Sequence, residues 1–179
     1  SQYTFRFSLS DGRVTTLRPI RPEDEPLLIA FHQGLSELTV YQRYFLSIQL
    51  NQRVAHERLS RLCFIDYERE IALVAEVCLG NGQKQVIAVA RLIRQSPPET
   101  AEFAVLVSDP FQGQGLGTEL VRRLVEIAVA EKIRTIQAVI LPDNQAMRSI
   151  CSKIGFQCTD APSPGEILAR LELSLSATE

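Results

Sequence analysis

The segment Gln112-Gly113-Gln114-Gly115-Leu116-Gly117 constrains the fold more than any other part of the chain. Before it, Ala101–Val107 carries apolar residues on both alternating faces, the pattern of a central strand covered on both sides. After it, Leu116, Leu120, Leu124, Ile127 and Ala128 recur with the 3.6-residue period of a helix packed along one stripe. A strand must therefore become a helix within a few residues, and glycine is the residue whose backbone permits so tight a turn. Main-chain N–H groups and the positive helix end then converge on one point, which suits a phosphate or pyrophosphate. A turn that uses glycine only for its dihedral freedom would look the same. Two common nucleotide motifs do not fit: Gly115 is followed three residues later by Thr118 instead of a third glycine, and the P-loop lysine is missing.

The chain of 179 residues suits a single domain, 1–179, with no repeat or low-complexity segment to mark a boundary. Asp11-Gly12 between Phe5–Leu9 and Val14–Leu17 predicts a hairpin. Glu23, Asp24 and Glu25 sit where a first helical turn favours acids, and Leu27, Leu28 and Phe31 supply that helix with an apolar stripe. Ser36–Phe45 and Arg53–Phe64 read as two more helices. Ile71–Leu79, the turn Gly80-Asn81-Gly82 and Val86–Ile93 read as a second hairpin. Thr135–Leu141 is expected to be a strand and Asn144–Ile154 a helix ended by Gly155. Phe156–Thr159 and Ile167–Leu173 complete the strands. The sum is an α+β or α/β sheet protein.

Charge and composition exclude several classes. Nineteen basic against 21 acidic residues give a net charge of −2, no field to attract a polyanion, so nucleic acid is not an expected partner. The longest apolar stretch, Ile71–Leu79, is interrupted by Glu76 and falls short of the ~20 residues of a membrane span, and no signal peptide is expected. Cys63, Cys78, Cys151 and Cys158 are irregularly spaced within apolar runs, as buried thiols in a reducing compartment are, which predicts a cytoplasmic protein. Met147 is the only methionine, which fits either loss of an initiator or excision from a longer protein. His32 and His56 have no ligand spacing, so no metal is expected, and both read as surface or partly buried helix residues. Arg53, Arg58 and Arg61 read as a solvated helix face.

Gln112-x-x-Gly115-x-Gly117 resembles the pyrophosphate-binding signature of the GNAT superfamily of acyl-CoA-dependent N-acyltransferases. Ala101–Val107 resembles the strand before that signature, and Asn144…Lys153-Ile154-Gly155-Phe156 the family's Asn-containing helix that ends in Gly-Phe. The segments Leu17-Arg18-Pro19-Ile20-Arg21-Pro22-Glu23-Asp24, Tyr41–Phe45 and Ile65–Glu70 are similar, more narrowly, to the acetyltransferase domain of bacterial protein lysine acetyltransferases of the Pat type. The resemblance implies a twisted mixed sheet whose central parallel strands splay, with helices on both faces. It implies acetyl-CoA as co-substrate and Gln112, Gly113, Gln114, Gly115, Leu116, Gly117 and Thr118 as its pyrophosphate loop, with Asn144 on the pantetheine arm. It also implies a protein lysine as acceptor, such as one on an acyl-CoA synthetase, with a regulatory region in cis. A small-molecule amine, a protein N-terminus or an acyl-CoA-sensing module without turnover are the alternatives.

The chemistry has its own demand. A lysine amine with a pKa near 10 is protonated at pH 7 and must lose a proton before it attacks a thioester. Glu102 is the one carboxylate within Ala101–Val107, where apolar surroundings suit a group that must take up a proton, and it matches the family's usual base. Glu76 is the rival, although an acid in a hairpin strand more often faces solvent, and Glu99 reads as a loop residue. The main-chain N–H of Leu106 or Val107 is expected to serve the oxyanion and the pantetheine arm. Asn144 reads equally well as a helix N-cap. Where many family members place an acidic tyrosine, seven residues after the asparagine, this chain has Cys151, which reads as core and not as a nucleophile.

Overall fold

The computed structural model describes residues 2–45 and 48–174. The chain opens with the hairpin β1 (Phe5–Ser8) and β2 (Val14–Pro19), then gives helices α1 (Glu25–Gln33), α2 (Glu37–Tyr44), α3 (Leu50–Arg53) and α4 (His56–Cys63). Strands β3 (Glu70–Cys78), β4 (Lys84–Arg94) and β5 (Thr100–Val107) follow, then α5 (Leu116–Ala130), β6 (Thr135–Ile140), α6 (Gln145–Ile154), β7 (Gln157–Asp160) and β8 (Ile167–Glu172). They form one sheet in the order β1-β2-β3-β4-β5-β6-β8-β7. Every neighbouring pair is antiparallel except β5 and β6.

That parallel pair is brief: Thr100, Ala101 and Glu102 match Thr135, Ile136 and Gln137, and beyond them the strands no longer pair with each other. Each face of the sheet carries its own core. Leu73, Ala75, Ile87, Phe103 and Ile136 pack with Leu120, Leu124 and Ile127 of α5 and Cys151 of α6. On the other face Ala72, Val74, Val86 and Leu106 pack with Leu28 and Phe31 of α1 and Leu59 and Cys63 of α4. The central strands are thus apolar on both sides because helices cover both. The expected splayed mixed sheet with helices on both faces is the observed one.

Several local readings change. The helix expected over Arg53–Phe64 is α4, which starts only at His56; Arg53 instead ends the separate turn α3, with Ala55 extended between the two. Arg53 is buried at the break, its guanidinium donating to the carbonyls of Ile48 and His32, so it is not part of a solvated face. Residues Pro22–Asp24 form a 3-10 turn, and Asp24 is buried and not simply a dipole-facing acid. Both its oxygens accept from Arg18 at 2.8 Å, and Arg18 also donates to Glu76 at 2.7 Å. Glu76 is therefore buried and paired across 58 residues of sequence, not solvated. Cys78 and Cys158 are exposed, so only two of the four thiols sit in the core.

The Arg18 cluster joins β2, β3 and the turn before α1 in one buried triad. Burial alone would raise the Asp24 carboxyl, but Arg18 and the Arg21 N–H outweigh it and hold it below its usual 3.8. A lowered pKa means that Asp24 stabilises the fold fully above that value and ceases to do so as acid protonates it. Glu76→Ala removes one of the two carboxylates that satisfy a buried guanidinium, and should lower stability by about 3 kcal/mol in urea unfolding at pH 7.

Candidate functional site

A cleft of about 590 Å³ opens where β5 leaves β6, walled by α2 on one side and α6 on the other, with the glycine turn at its end. The backbone parity of β5 follows from its partner strand. Gln95 N–H donates to Thr100 O and Ser108 N–H to Ile87 O, so even-numbered residues of β5 direct their main-chain groups to β4. Leu106 N–H therefore belongs to the β4 ladder, and Val105 and Val107 face the cleft with theirs. Of the two donors the sequence left open, geometry keeps Val107.

The same alternation sets the side chains. Ala101, Phe103 and Val105 face α5, while Glu102, Ala104 and Leu106 face the α2 side. Glu102 is half-buried, lines the cleft and lies across the sheet from Ile93 and Gln137. Glu76 does not reach it. Its Oε2 is taken by Arg18, its Oε1 lies 3.5 Å from Lys84 Nζ, and the residue does not line the cleft. Glu99 precedes β5 in a turn whose carbonyl accepts from the N–H groups of Arg134 and Thr135.

At the glycine turn, Gly113 and Gly115 adopt φ of 74° and 86°, the left-handed region that side chains disfavour. Gly115 is the N-cap of α5, and the first intrahelical bond is Glu119 N–H to Gly115 O. The N–H groups of Leu116, Gly117 and Thr118 thus have no intrahelical acceptor and mark the positive helix end. Gly117 has another reason to be glycine: a Cβ there would meet Ile150 Cδ1 of α6 at 3.0 Å. Its smallness lets α5 and α6 approach. Leu116 is fully buried and can offer only its main chain.

The two glutamines of the turn point their side chains elsewhere. Gln112 Nε2 donates to Val107 O at 3.0 Å and to Thr39 Oγ1 at 3.1 Å. Gln114 does not line the cleft, and its Oε1 is buried without a hydrogen-bond partner among the described residues. Asn144 caps α6, its oxygen accepting from Met147 N–H at 3.2 Å, and it also lines the cleft. The cap reading is the observed one, and it leaves the residue in place to meet a ligand.

Sequence reasoning missed the α2 wall. Thr39, Gln42, Arg43 and Tyr44 line the cleft, although nothing in Tyr41-Gln42-Arg43-Tyr44 marks one face over another. The helix is held by Asp109, just before the glycine turn, which accepts from Ser36 N–H at 2.9 Å, Ser36 Oγ at 2.7 Å and Thr39 Oγ1 at 2.9 Å. Burial would raise the Asp109 carboxyl, but these donors hold it below its ordinary value. Asp109→Ala unties α2 from the glycine turn and should lower stability by about 2 kcal/mol, measured by thermal unfolding.

Cys151 is fully buried, and burial pushes its thiol up to about 12, with Cys63 up to about 11. Neither supplies a thiolate at neutral pH. His32 is buried rather than superficial, and burial together with Arg58, Arg53 and Arg91 lowers it to about 4. His56 is exposed and pairs with Glu25. Among the described residues no group of three or more His, Cys, Asp or Glu could hold a metal ion, and no helix is long and apolar enough to cross a membrane. Iodoacetamide at pH 8 should add two groups to the folded protein, at Cys78 and Cys158, and four after unfolding, counted by intact mass.

Comparison with known proteins agrees with this geometry. Residues 15–157 match the family model of the acetyltransferase (GNAT) domain. The chain is 31% identical over 167 residues to a Pseudomonas aeruginosa protein described as an acetyltransferase, covering 93% of this chain and 88% of that one. It is 33% identical over 140 residues to acetyltransferase Pat of Mycolicibacterium smegmatis, covering 78% of this chain and 40% of the relative. It thus spans less than half the length of Pat. The GNAT domain of S. lividans PAT superposes with a TM-score of 0.85 at 25% identity, over 97% of this chain and 98% of that one. The fold and cleft are those of an acyl-CoA-dependent N-acetyltransferase. The chain belongs to the GNAT acetyltransferase family.

Proposed function

We propose that this chain transfers an acetyl group from acetyl-CoA directly to the amine of a protein lysine, in a complex that holds both substrates at once. The observation that carries the reading is the position of Glu102. Among the described residues it is the one carboxylate lining a cleft whose far end is a helix N-terminus and whose wall is a strand edge that has left β6.

The chain's residues divide the work. The N–H groups of the turn from Gly113 to Thr118 and the positive end of α5 receive the pyrophosphate. Val105 and Val107 offer main-chain groups to the amides of the pantetheine arm, as a strand edge does to an added strand. Asn144 meets the same arm from α6. Val107 N–H lies where the thioester oxygen gathers charge as the amine attacks. Glu102 accepts the proton of the incoming ammonium, directly or through one water. The new C–N bond then displaces the sulfur of coenzyme A, which leaves as a thiolate without a dedicated acid, and Cys151 stays outside the reaction. An acyl-CoA synthetase is one acceptor of this class, and the four free cysteines suit a reducing cytoplasm.

Glu102→Gln keeps the size of the side chain and removes its basicity. Binding of acetyl-CoA, measured by calorimetry, should persist, while transfer at pH 7 falls by about 10²–10⁴-fold. The deficit should narrow as pH rises, since more of the acceptor amine is then neutral without help. Wild-type rates in the variant at every pH would remove Glu102 from the mechanism. Tight acetyl-CoA binding without transfer by the wild type to any lysine protein would identify a sensor.

A further inference from the structure

Arg43 has no task in the transfer just described. It projects from the last turn of α2 into the cleft, on the side of β5 that carries Glu102. It also walls a smaller cavity of about 30 Å³ beneath, together with His32, Arg91, Ala104 and Leu106. Among the described residues it has no hydrogen bond and no carboxylate at ion-pair distance. Its guanidinium lies over the Tyr44 ring, 4.7 Å from the centroid.

Its surroundings are cationic. Arg91 is paired with Glu70, but Arg58 donates to the Tyr44 hydroxyl and the Arg53 carbonyl, and Arg53 to two carbonyls with its Nε left unpartnered. Arg43, Arg53 and Arg58 thus have no carboxylate at ion-pair distance among the described residues, and the carboxylate whose charge is felt at Arg43 is that of Glu102 itself. His32, 4% exposed, turns its ring into the small cavity with Nδ1 unpartnered. A guanidinium on the cleft wall that has no hydrogen bond and no ion-paired carboxylate is the mark of a site that can take an anion.

A protonated lysine that approaches Glu102 meets this field. The field favours the neutral amine needed for attack, yet it opposes arrival of the cation. A carboxylate carried beside the amine removes that opposition and gives the guanidinium fork two oxygens to bind. We propose that the acceptor end of the cleft selects amines that carry a neighbouring carboxylate, and that Arg43 is the specificity-determining residue that binds it. This rests on the acetyl-transfer reading above.

The test uses acceptors that differ only in that charge. One pair is a hexapeptide with a single lysine flanked by glutamate or by glutamine. The other is Nα-acetyl-lysine with its α-carboxylate free or amidated. With the wild-type chain and acetyl-CoA, kcat/KM should favour the acidic member of at least one pair by about 10- to 100-fold, chiefly through KM. Preference within the peptide pair assigns the carboxylate to a protein segment, and preference within the lysine pair alone assigns it to a small molecule. Arg43→Gln should reduce the ratio to below about two-fold, and Arg43→Lys should keep part of it, because charge without the fork binds less well. Equal wild-type rates within both pairs overturn the proposal and need no variant to fold. So does an Arg43→Gln variant that slows both members alike. Absence of transfer to all four acceptors, with acetyl-CoA bound in calorimetry, would instead remove the transfer reading itself.

Discussion

The separation of β5 from β6 after three residue pairs is the constraint on which the site depends. Main-chain donors and acceptors inside a protein are nearly always paired, so a strand edge left open within the fold calls for a partner from outside. The parity of β5 decides which groups those are: the ladder with β4 uses the even residues, and Val105 and the N–H of Val107 remain, the Val107 carbonyl being taken by Gln112. A ligand that carries amides along a slender arm answers that need, whereas a bulky or purely apolar one does not. The glycine turn lies where β5 ends, so the same strand that opens the cleft also delivers the helix N-terminus to its far end. An open strand edge and a helix N-terminus are thus supplied by consecutive parts of one strand-turn-helix unit.

The two walls are built differently. On the α6 side the approach is steric, since Gly117 admits Ile150 and brings the helices together. On the α2 side it is polar, through Asp109, Thr39 and Gln112. Gln112 thereby acts in a way its place in the glycine motif does not suggest: its side chain ties the end of β5 to α2 instead of turning toward a phosphate. The α2 wall is fastened to the glycine turn, and the geometry of one fixes that of the other.

How much of this the sequence reveals depends on the range of the interaction. The glycine turn, the Asp11-Gly12 hairpin, the double-sided strands and the capped α6 are local patterns, and each folds as its own residues dictate. Glu76 and Asp24 mislead because their meaning lies in Arg18, which is 58 residues from Glu76. An acid in a hairpin strand or a first helical turn reads as solvated until a buried guanidinium is placed between the two. Arg53 misleads in the same way, since its acceptors are the carbonyls of Ile48, before α3, and of His32, 21 residues away at the end of α1. The role of Glu102 as cleft residue was legible because strand, turn and helix around it are contiguous. Arg43 and Tyr44 were not, because a helix of polar residues offers no sign of which face will meet a strand far along the chain.

The sheet has four margins and treats them unequally. Its outer ones are the short strands β1 and β7, four residues each, and β7 is exposed and polar throughout. Such stubs give a stray extended chain little to pair with, which protects the protein from association with its own copies. The inner margins along the diverging strands are left unpaired, yet they are recessed between helices, so only a thin guest can reach them. Adhesiveness that would be a hazard on the rim is kept inside the molecule, where access is filtered by width.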